Sequence, residues 1–543
     1  YEMGSHHDAD TFHRMYGMLH EVRVYDRDIS DEEIKRRYEE KRAKFNVPIE
    51  LETGPYVKFE TTHSARIRWQ TAQPMPTRLV VFGAAGERRF EDTRAATSHD
   101  VTIDDLPRDR MLHYAIEKDS NGLVGQSLEF ELDTHFNFSI APVPVELQPF
   151  SDDQLSQDFS AAAKHILSQC QFKRGICLVI GNGDGRLAWE LARQSEMRIV
   201  GVETDAEKVA SARRTMLKSG AYGSRISIFH VDSYAKLPFV GRFANLIVSE
   251  NLITSSDATG DPKELFRVLR PDGGVVCLGQ QDNRDTDLNA DQLKEWLTGT
   301  GLDVSLKVND AGTWLTAVRP TLEGAGDWSH LYGHADNSAF GGESLGGAST
   351  TDEMAVQWIG RPGPRAQPDR NGRKPSPLST HGRLFVQGLH RVIAVDAFNG
   401  TILWGLEIPA LERFNMPRDC SNWCADDRHV FIAAKDKCWQ IDAATGEVVA
   451  SHPVAEANRD DWSYDWGFIA QAGDLLVGSA EKAGAAFTSF WGDAGAGWYD
   501  ALEGPVTFKV CSDSLFVQRK SDGKVAWTYE NGVIINSTIT VTD

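Results

Sequence analysis

Between residues 150 and 320, short apolar runs alternate with amphipathic stretches. Ile176-Cys177-Leu178-Val179-Ile180 is continuously apolar, as a strand covered on both faces of a parallel sheet must be. Residues 186–194 then carry helical periodicity. The runs 198–202, 226–231 and 244–248 predict three further strands. Residues 264–269 predict a helix that leads through Arg270-Pro271-Asp272-Gly273-Gly274 into a fifth. Strands that alternate with helices predict a Rossmann-like, doubly wound α/β domain.

On either side the period is two. Residues 65–69 and 78–82 read as strands. Residues 99–103 read as another, with a corner at Leu106-Pro107 and a further strand at Tyr114, so residues 47–140 predict a β-sandwich. Earlier, alternation from Glu21 to Val24 predicts a strand. Ser30 with Glu33 forms a capping box for a short helix with Ile34 and Tyr38 on one face. After residue 326 the β pattern returns and repeats. Ala394-Val395-Asp396-Ala397-Phe398-Asn399-Gly400-Thr401-Ile402-Leu403-Trp404 has a near copy starting at Gln440-Ile441-Asp442, with the two aspartates 46 residues apart (442 − 396). A third version spans residues 520–527. Each reads as a tight hairpin whose Asp and Gly shape the turn, and the Trp of the first and third can pack on a neighbouring unit. Residues 534–541 read as a last strand.

Composition narrows the function classes. A chain of 543 residues predicts three to five domains at roughly 100 to 200 residues each. A net charge of −21 speaks against nucleic acid or an anionic membrane as partner, leaving a protein or a small molecule. No apolar run reaches the roughly 18 residues of a membrane span. The opening Tyr1 and the final strand read as the cut ends of a longer chain. Cys420, Cys424, His429 and Cys438 lack the spacing of a zinc site, so thiols or a disulfide are expected there and no metal. Gly342-Glu343-Ser344-Leu345-Gly346 fits the hydrolase elbow formula but has no strand before it or helix after it. Trp462, Trp466, Trp491 and Trp498 are expected to serve core packing before any ligand surface.

Chemistry concentrates at strand ends in the α/β region. The turn Gly181-Asn182-Gly183-Asp184-Gly185 lies between a strand and a helix, where glycine allows a tight turn and close approach of a ligand. Glu203 ends the second strand, where a carboxylate can accept the hydrogen bonds of ribose hydroxyls. Asp232 ends the third, where it can accept from an adenine amino group. This ordered set, with the Arg-Val-Leu-Arg-Pro-Asp-Gly-Gly ending at 267–274, resembles class I S-adenosylmethionine-dependent methyltransferases over about 150 residues. The resemblance implies that Gly181, Gly183 and Gly185 approach the methionine and ribose of S-adenosylmethionine, that Glu203 holds the ribose and that Asp232 holds the adenine. An active domain would be an S-adenosylmethionine-dependent methyltransferase. Val179 departs from the family, which carries an acid there to help hold the charged part of the cofactor. No methyl-acceptor motif is visible, so no catalytic residue is named.

The other regions carry resemblances of their own. Residues 1–46 resemble the C-terminal end of a laminin-G/concanavalin-like jelly roll. Residues 47–140 are similar to fibronectin III-like domains that precede purple acid phosphatases, but the metal-binding motifs of the phosphatase do not follow. Residues 327–543 resemble a partial quinoprotein-like β-propeller with pyrroloquinoline-quinone-type repeats, opening at Trp328-Ser329-His330-Leu331-Tyr332-Gly333 and Asn337. Pyrroloquinoline quinone itself is not expected, because no adjacent cysteine pair exists, and a quinone-linked dehydrogenase is the most distant reading. Such modules imply a periplasmic or extracellular setting rather than the cytoplasm. They also frame the competing reading, a non-catalytic scaffold with a degenerate Rossmann domain.

Overall fold

A computed structural model describes residues 25, 27–42, 49, 51–83, 86–120, 123–255, 260–281, 288, 290–309, 312–360, 375–388, 390–411, 422–455, 462–483 and 511–542. The strand expected at 21–24, the side chain of Tyr38, Cys420, Trp491 and Trp498 lie outside these residues. The first helix, α1 (Asp31–Arg42), starts where the capping box predicts, with the Glu33 N–H donating to Ser30 Oγ at 3.3 Å.

Six strands follow: β1 (Leu51–Thr61), β2 (Ser64–Gly83), β3 (Gly86–Ile103), β4 (Met111–Ser120), β5 (Leu123–Gln126) and β6 (Phe130–Asp133). The two strands expected at 65–69 and 78–82 are one strand, β2. Its first half pairs with β1, and its second half pairs with β4. Its register against β3 shifts between Gln70 and Thr77, so the ladder is interrupted where the sequence pattern breaks. Trp69, Ile67, Tyr114 and Ile116 fill the core of this unit.

The α/β unit contains α2 (Gln154–Ser168), β7 (Ile176–Ile180), α3 (Arg186–Gln194), β8 (Arg198–Glu203), α4 (Ala206–Lys218), β9 (Ile226–His230), β10 (Leu246–Ser249), α5 (Asn251–Thr254), α6 (Pro262–Val268), β11 (Val275–Gln280), α7 (Ala290–Leu297), β12 (Asp303–Asn309) and β13 (Gly312–Val318). Its seven-stranded sheet runs β12-β13-β11-β10-β7-β8-β9, and β7 to β11 are parallel to their neighbours where they pair with one another. Alternate residues of each buried strand serve opposite cores. Cys177 and Val179 pack under α2 and α3, while Leu178 and Ile180 pack under α6 and α7.

Three runs of four antiparallel strands follow. The first, β14 (Leu378–Thr380) to β17 (Ile402–Glu407) through β15 (Arg383–Gly388) and β16 (Arg391–Asp396), continues through β1 into the sheet of the first β unit, making ten strands in all. β18 (Trp423–Ala425), β19 (His429–Ala434), β20 (Lys437–Asp442) and β21 (Val448–Pro453) form a separate sheet, and so do β22 (Tyr464–Ala472), β23 (Leu475–Lys482), β25 (Ser514–Arg519) and β26 (Val525–Tyr529). β24 (Cys511–Ser512) pairs with β27 (Ile534–Ile535). The strand expected at 534–541 stops after two residues and turns into a 3-10 helix at Asn536–Thr538. There the Asn536 side chain is buried among Ser479, Ser512 and Glu481 instead of extending a ladder.

The 46-residue repeat is visible in the packing. The Trp404 indole donates to the Ala443 carbonyl at 3.0 Å and rests on Gly446 of the next turn, where an added Cβ would lie 2.6 Å from the ring. Trp358, a member of the series that the sequence comparison passed over, donates to the Ala397 carbonyl at 2.9 Å and rests on Gly400 in the same way. Trp527 departs from the pattern: it is half exposed and stacks on Tyr529. Cys424 and Cys438 are buried free thiols, and burial pushes the Cys424 thiol well up from its usual value.

The units are joined by buried charge. Asp396, at the end of β16, meets the amino-terminal end of the parallel sheet. It accepts from Asn245 Nδ2 at 2.9 Å and lies 3.2 Å from Arg270 Nε, with the Arg270 and Asp396 side chains only 2% and 1% exposed. Asn245 Oδ1 in turn accepts from the Ile176 N–H and from Asn399 Nδ2, at 2.9 and 2.8 Å. Arg391 ties the first β unit on through Asp133 at 3.2 Å, and β1 pairs with β17 at Val57 and Glu407. No helix of the described residues is long and apolar enough to cross a membrane.

Candidate functional site

The site lies at the carboxyl ends of β7, β8 and β10, the edge at which open α/β sheets take their ligands. β7 delivers the chain into the glycine turn. Gly181, Gly183 and Gly185 have φ of 60°, 54° and 89°, which side chains with a Cβ adopt only at a cost. The turn is stitched to β8 by the Asn182 N–H, which donates to the Val202 carbonyl at 3.0 Å, and it closes on itself through the Gly185 N–H and Asn182 O at 2.9 Å. The Asn182 side chain is fully buried against Gly201, and neither of its polar atoms has a hydrogen-bond partner among the described residues.

Glu203 ends β8 beneath this turn and is 4% exposed. Its Oε2 accepts the Gly183 N–H at 3.0 Å. Its Oε1 accepts the Thr204 and Asp205 N–H groups at 2.8 and 3.1 Å and the Tyr234 hydroxyl at 3.2 Å. With the Thr204 hydroxyl at 3.4 Å, four donors crowd Oε1, while Oε2 keeps a free lone pair. Burial, and after it the Glu203 charge, push the Tyr234 hydroxyl up from its ordinary value.

A second carboxylate stands on the other side of the turn. In the parallel pairing of β10 with β7, Ser249 lies opposite Ile180, so Glu250 is carried level with the turn. Glu250 is 4% exposed and its Oε2 accepts the Leu187 N–H at 3.1 Å, which caps α3 in place of the Gly185 side chain that does not exist. A Cβ on Gly183 would lie 2.8 Å from Glu250 Oε1, and a Cβ on Gly181 would overlap the Asn251 amide. No Lys, Arg or His among the described residues is within ion-pair distance of Glu250. Burial, and then the nearby Asp184, push its carboxyl well above the ordinary range.

The structure thus brings Gly183 and Glu203 into direct contact and sets Gly181 against Asn251. Gly185 opens α3. Asp232 lies on the same sheet edge but is exposed and outside this hydrogen-bond cluster. Val179 is fully buried in the core under α2 and α3, where an acid would face apolar side chains. Glu250 carries no periodic or motif signal. Its one sequence trace is its place, an acid directly after an apolar strand. The residues present fit the adenosine half of S-adenosylmethionine, through the glycine turn and the remaining Oε2 acceptor of Glu203. The two ribose bonds expected of Glu203 would require the Tyr234 hydroxyl to give way.

No curated protein matches the chain. Among solved structures it is similar to a protein assigned as an S-adenosyl-L-methionine-dependent methyltransferase of Methanococcus maripaludis, at 20% identity over 31% of this chain and 88% of that one, with a TM-score of 0.28. It is similar as well to an S-adenosylmethionine-dependent methyltransferase of Aquifex aeolicus, at 15% identity over 31% of this chain and 93% of that one, TM-score 0.25. A third is the magnesium protoporphyrin IX methyltransferase of Synechocystis with bound S-adenosylmethionine, at 17% identity over 32% and 88%, TM-score 0.24. The family model described as a methyltransferase domain matches residues 177–273, which run from β7 through the glycine turn to the turn before β11, and this part of the chain is a methyltransferase-like domain with a Rossmann-like fold.

Proposed function

We propose that residues 150–320 bind S-adenosylmethionine at the glycine turn as the cofactor of a methyltransferase-type domain. The observation that carries this reading is the Gly183 N–H bonded to Glu203 Oε2, which holds the turn and the ribose-type acid together at the ligand edge of the sheet. Bound there, the cofactor supplies an electrophilic methyl group on a sulfonium. Glu203 accepts from a ribose hydroxyl, and Asp232, exposed on the same edge, is available to the adenine amino group. Methyl transfer draws mainly on positioning, so it does not require a general base in the chain. The β regions take the roles that their resemblances imply: a fibronectin III-like module at 47–140, blades of a quinoprotein-like propeller at 327–543, and a periplasmic or extracellular setting. Two separate four-stranded sheets, a third run of four antiparallel strands that continues into the first β unit, and the Trp404-on-Gly446 packing support the blade assignment.

Calorimetric titration of the whole chain with S-adenosylmethionine tests the reading. Saturable binding is expected, with Glu203→Ala abolishing it. Absence of heat at millimolar cofactor overturns it. The second reading, a non-catalytic scaffold with a degenerate Rossmann domain, draws support from Val179 and from the buried Asn245, Arg270 and Asp396 junction, which fuses the domain to its neighbour.

A further inference from the structure

The family's acid is missing at position 179, yet the glycine turn is not without a second carboxylate. Glu250 reaches it from the adjacent strand, against the face of Gly183 and at the first turn of α3. We propose that Glu250 is this chain's replacement for the missing acid, the group that holds the cationic methionine end of S-adenosylmethionine. The inference rests on the cofactor reading above.

Four observations converge on it. The carboxylate touches the turn whose glycines would receive the methionine. It is almost wholly buried, and no cation among the described residues pairs with it, which is costly for a carboxylate unless something positive arrives. Burial holds its proton on, so a sulfonium or ammonium brought beside it would release that proton to solvent and leave a compensated pair. Val179, which stands where the resemblance puts the family's acid, is an apolar side chain buried in the core under α2 and α3. Capping α3 needs only an oxygen acceptor, and a neutral amide would serve as well. An ionised Glu250 would find no positive group among the described residues around it, which are the Leu187 and Gly185 amides and the acid Asp184, hydrogen-bonded to it.

The test uses the full chain and two ligands. S-adenosylmethionine carries the sulfonium and the amino-acid end. 5′-Methylthioadenosine keeps the adenosine and lacks both. Glu250→Gln preserves the oxygen that caps α3, and a melting temperature no lower than the parent's establishes that the fold persists. The expected result is a loss of tenfold or more in S-adenosylmethionine affinity, with 5′-methylthioadenosine affinity within twofold of the parent. Equal effects on the two ligands, or no effect on either, would overturn the role of Glu250 while leaving the cofactor reading intact. A parent chain that binds 5′-methylthioadenosine but not S-adenosylmethionine also overturns it. A parent chain that binds neither overturns the cofactor reading itself.

Discussion

The parallel sheet of the α/β domain has two ends, and they treat buried charge in opposite ways. At the amino-terminal end, Arg270 and Asp396 are almost wholly buried. Each has partners: Asp396 takes Asn245, and Arg270 donates to the Asp272 and Gly382 carbonyls at 3.0 and 3.2 Å. At the carboxyl-terminal end, Glu203 is bonded only to neutral groups and Glu250 faces no cation. One end is closed by a neighbouring unit of the same chain. The other is composed of acceptors that still lack a positive counterpart. Buried ions that find their partners within the fold hold domains together, whereas buried acids left without one point to a ligand.

The comparison can be broken first at the closed end. Asp396→Ala strands the Arg270 guanidinium in the interior and removes an acceptor from Asn245. It should cost about 3–5 kcal/mol, seen as a large drop in the denaturant midpoint. A change below 1 kcal/mol, on the same scale, would mean that water reaches the junction. Next comes Asn245→Ala, which deletes the bonds to the Ile176 N–H, Asp396 and Asn399 but no charge. About 1–3 kcal/mol is expected from the same unfolding curves. Smallest is the open end. With no ligand present, Glu250→Gln should change stability by less than about 1 kcal/mol near pH 5, because burial already keeps the carboxyl protonated. Its folded pKa lies above the unfolded one, so the stability it lends is present at low pH and lost as pH rises. The Gln variant should therefore gain on the parent between pH 5 and pH 8. Parallel stability curves across that range would show that Glu250 is ionised throughout.

Much of the α/β fold was legible because its signals are local. The apolar run 176–180, the helix after the glycine turn and the acid that ends the second strand each stand where periodicity and turn chemistry put them. The candidate site was legible in part. Glu203 and Gly183 could be read because an acid at a strand tip and glycines in a turn have their own patterns. Glu250 could not, because its role depends on how far β10 slides along β7, which only the sheet register decides. The merging of two expected strands into β2 has a similar cause. Residues 70–77 carry turn-like prolines, but pairing on both flanks keeps the backbone extended. The junction at Asp396 was out of reach for sequence reading, since a turn aspartate of a repeat looks the same whether its second oxygen meets water or an arginine 126 positions earlier (396 − 270).

The interlock of Trp404 with Gly446, and of Trp358 with Gly400, runs in one direction only: each indole is seated on the turn of the unit that follows it. Stability in such an array is passed from neighbour to neighbour. The fluorescence of Trp404 therefore reports on the integrity of its successor as well as on its own unit, whose Phe385 ring lies 6.1 Å away, whereas Trp527 is half in solvent.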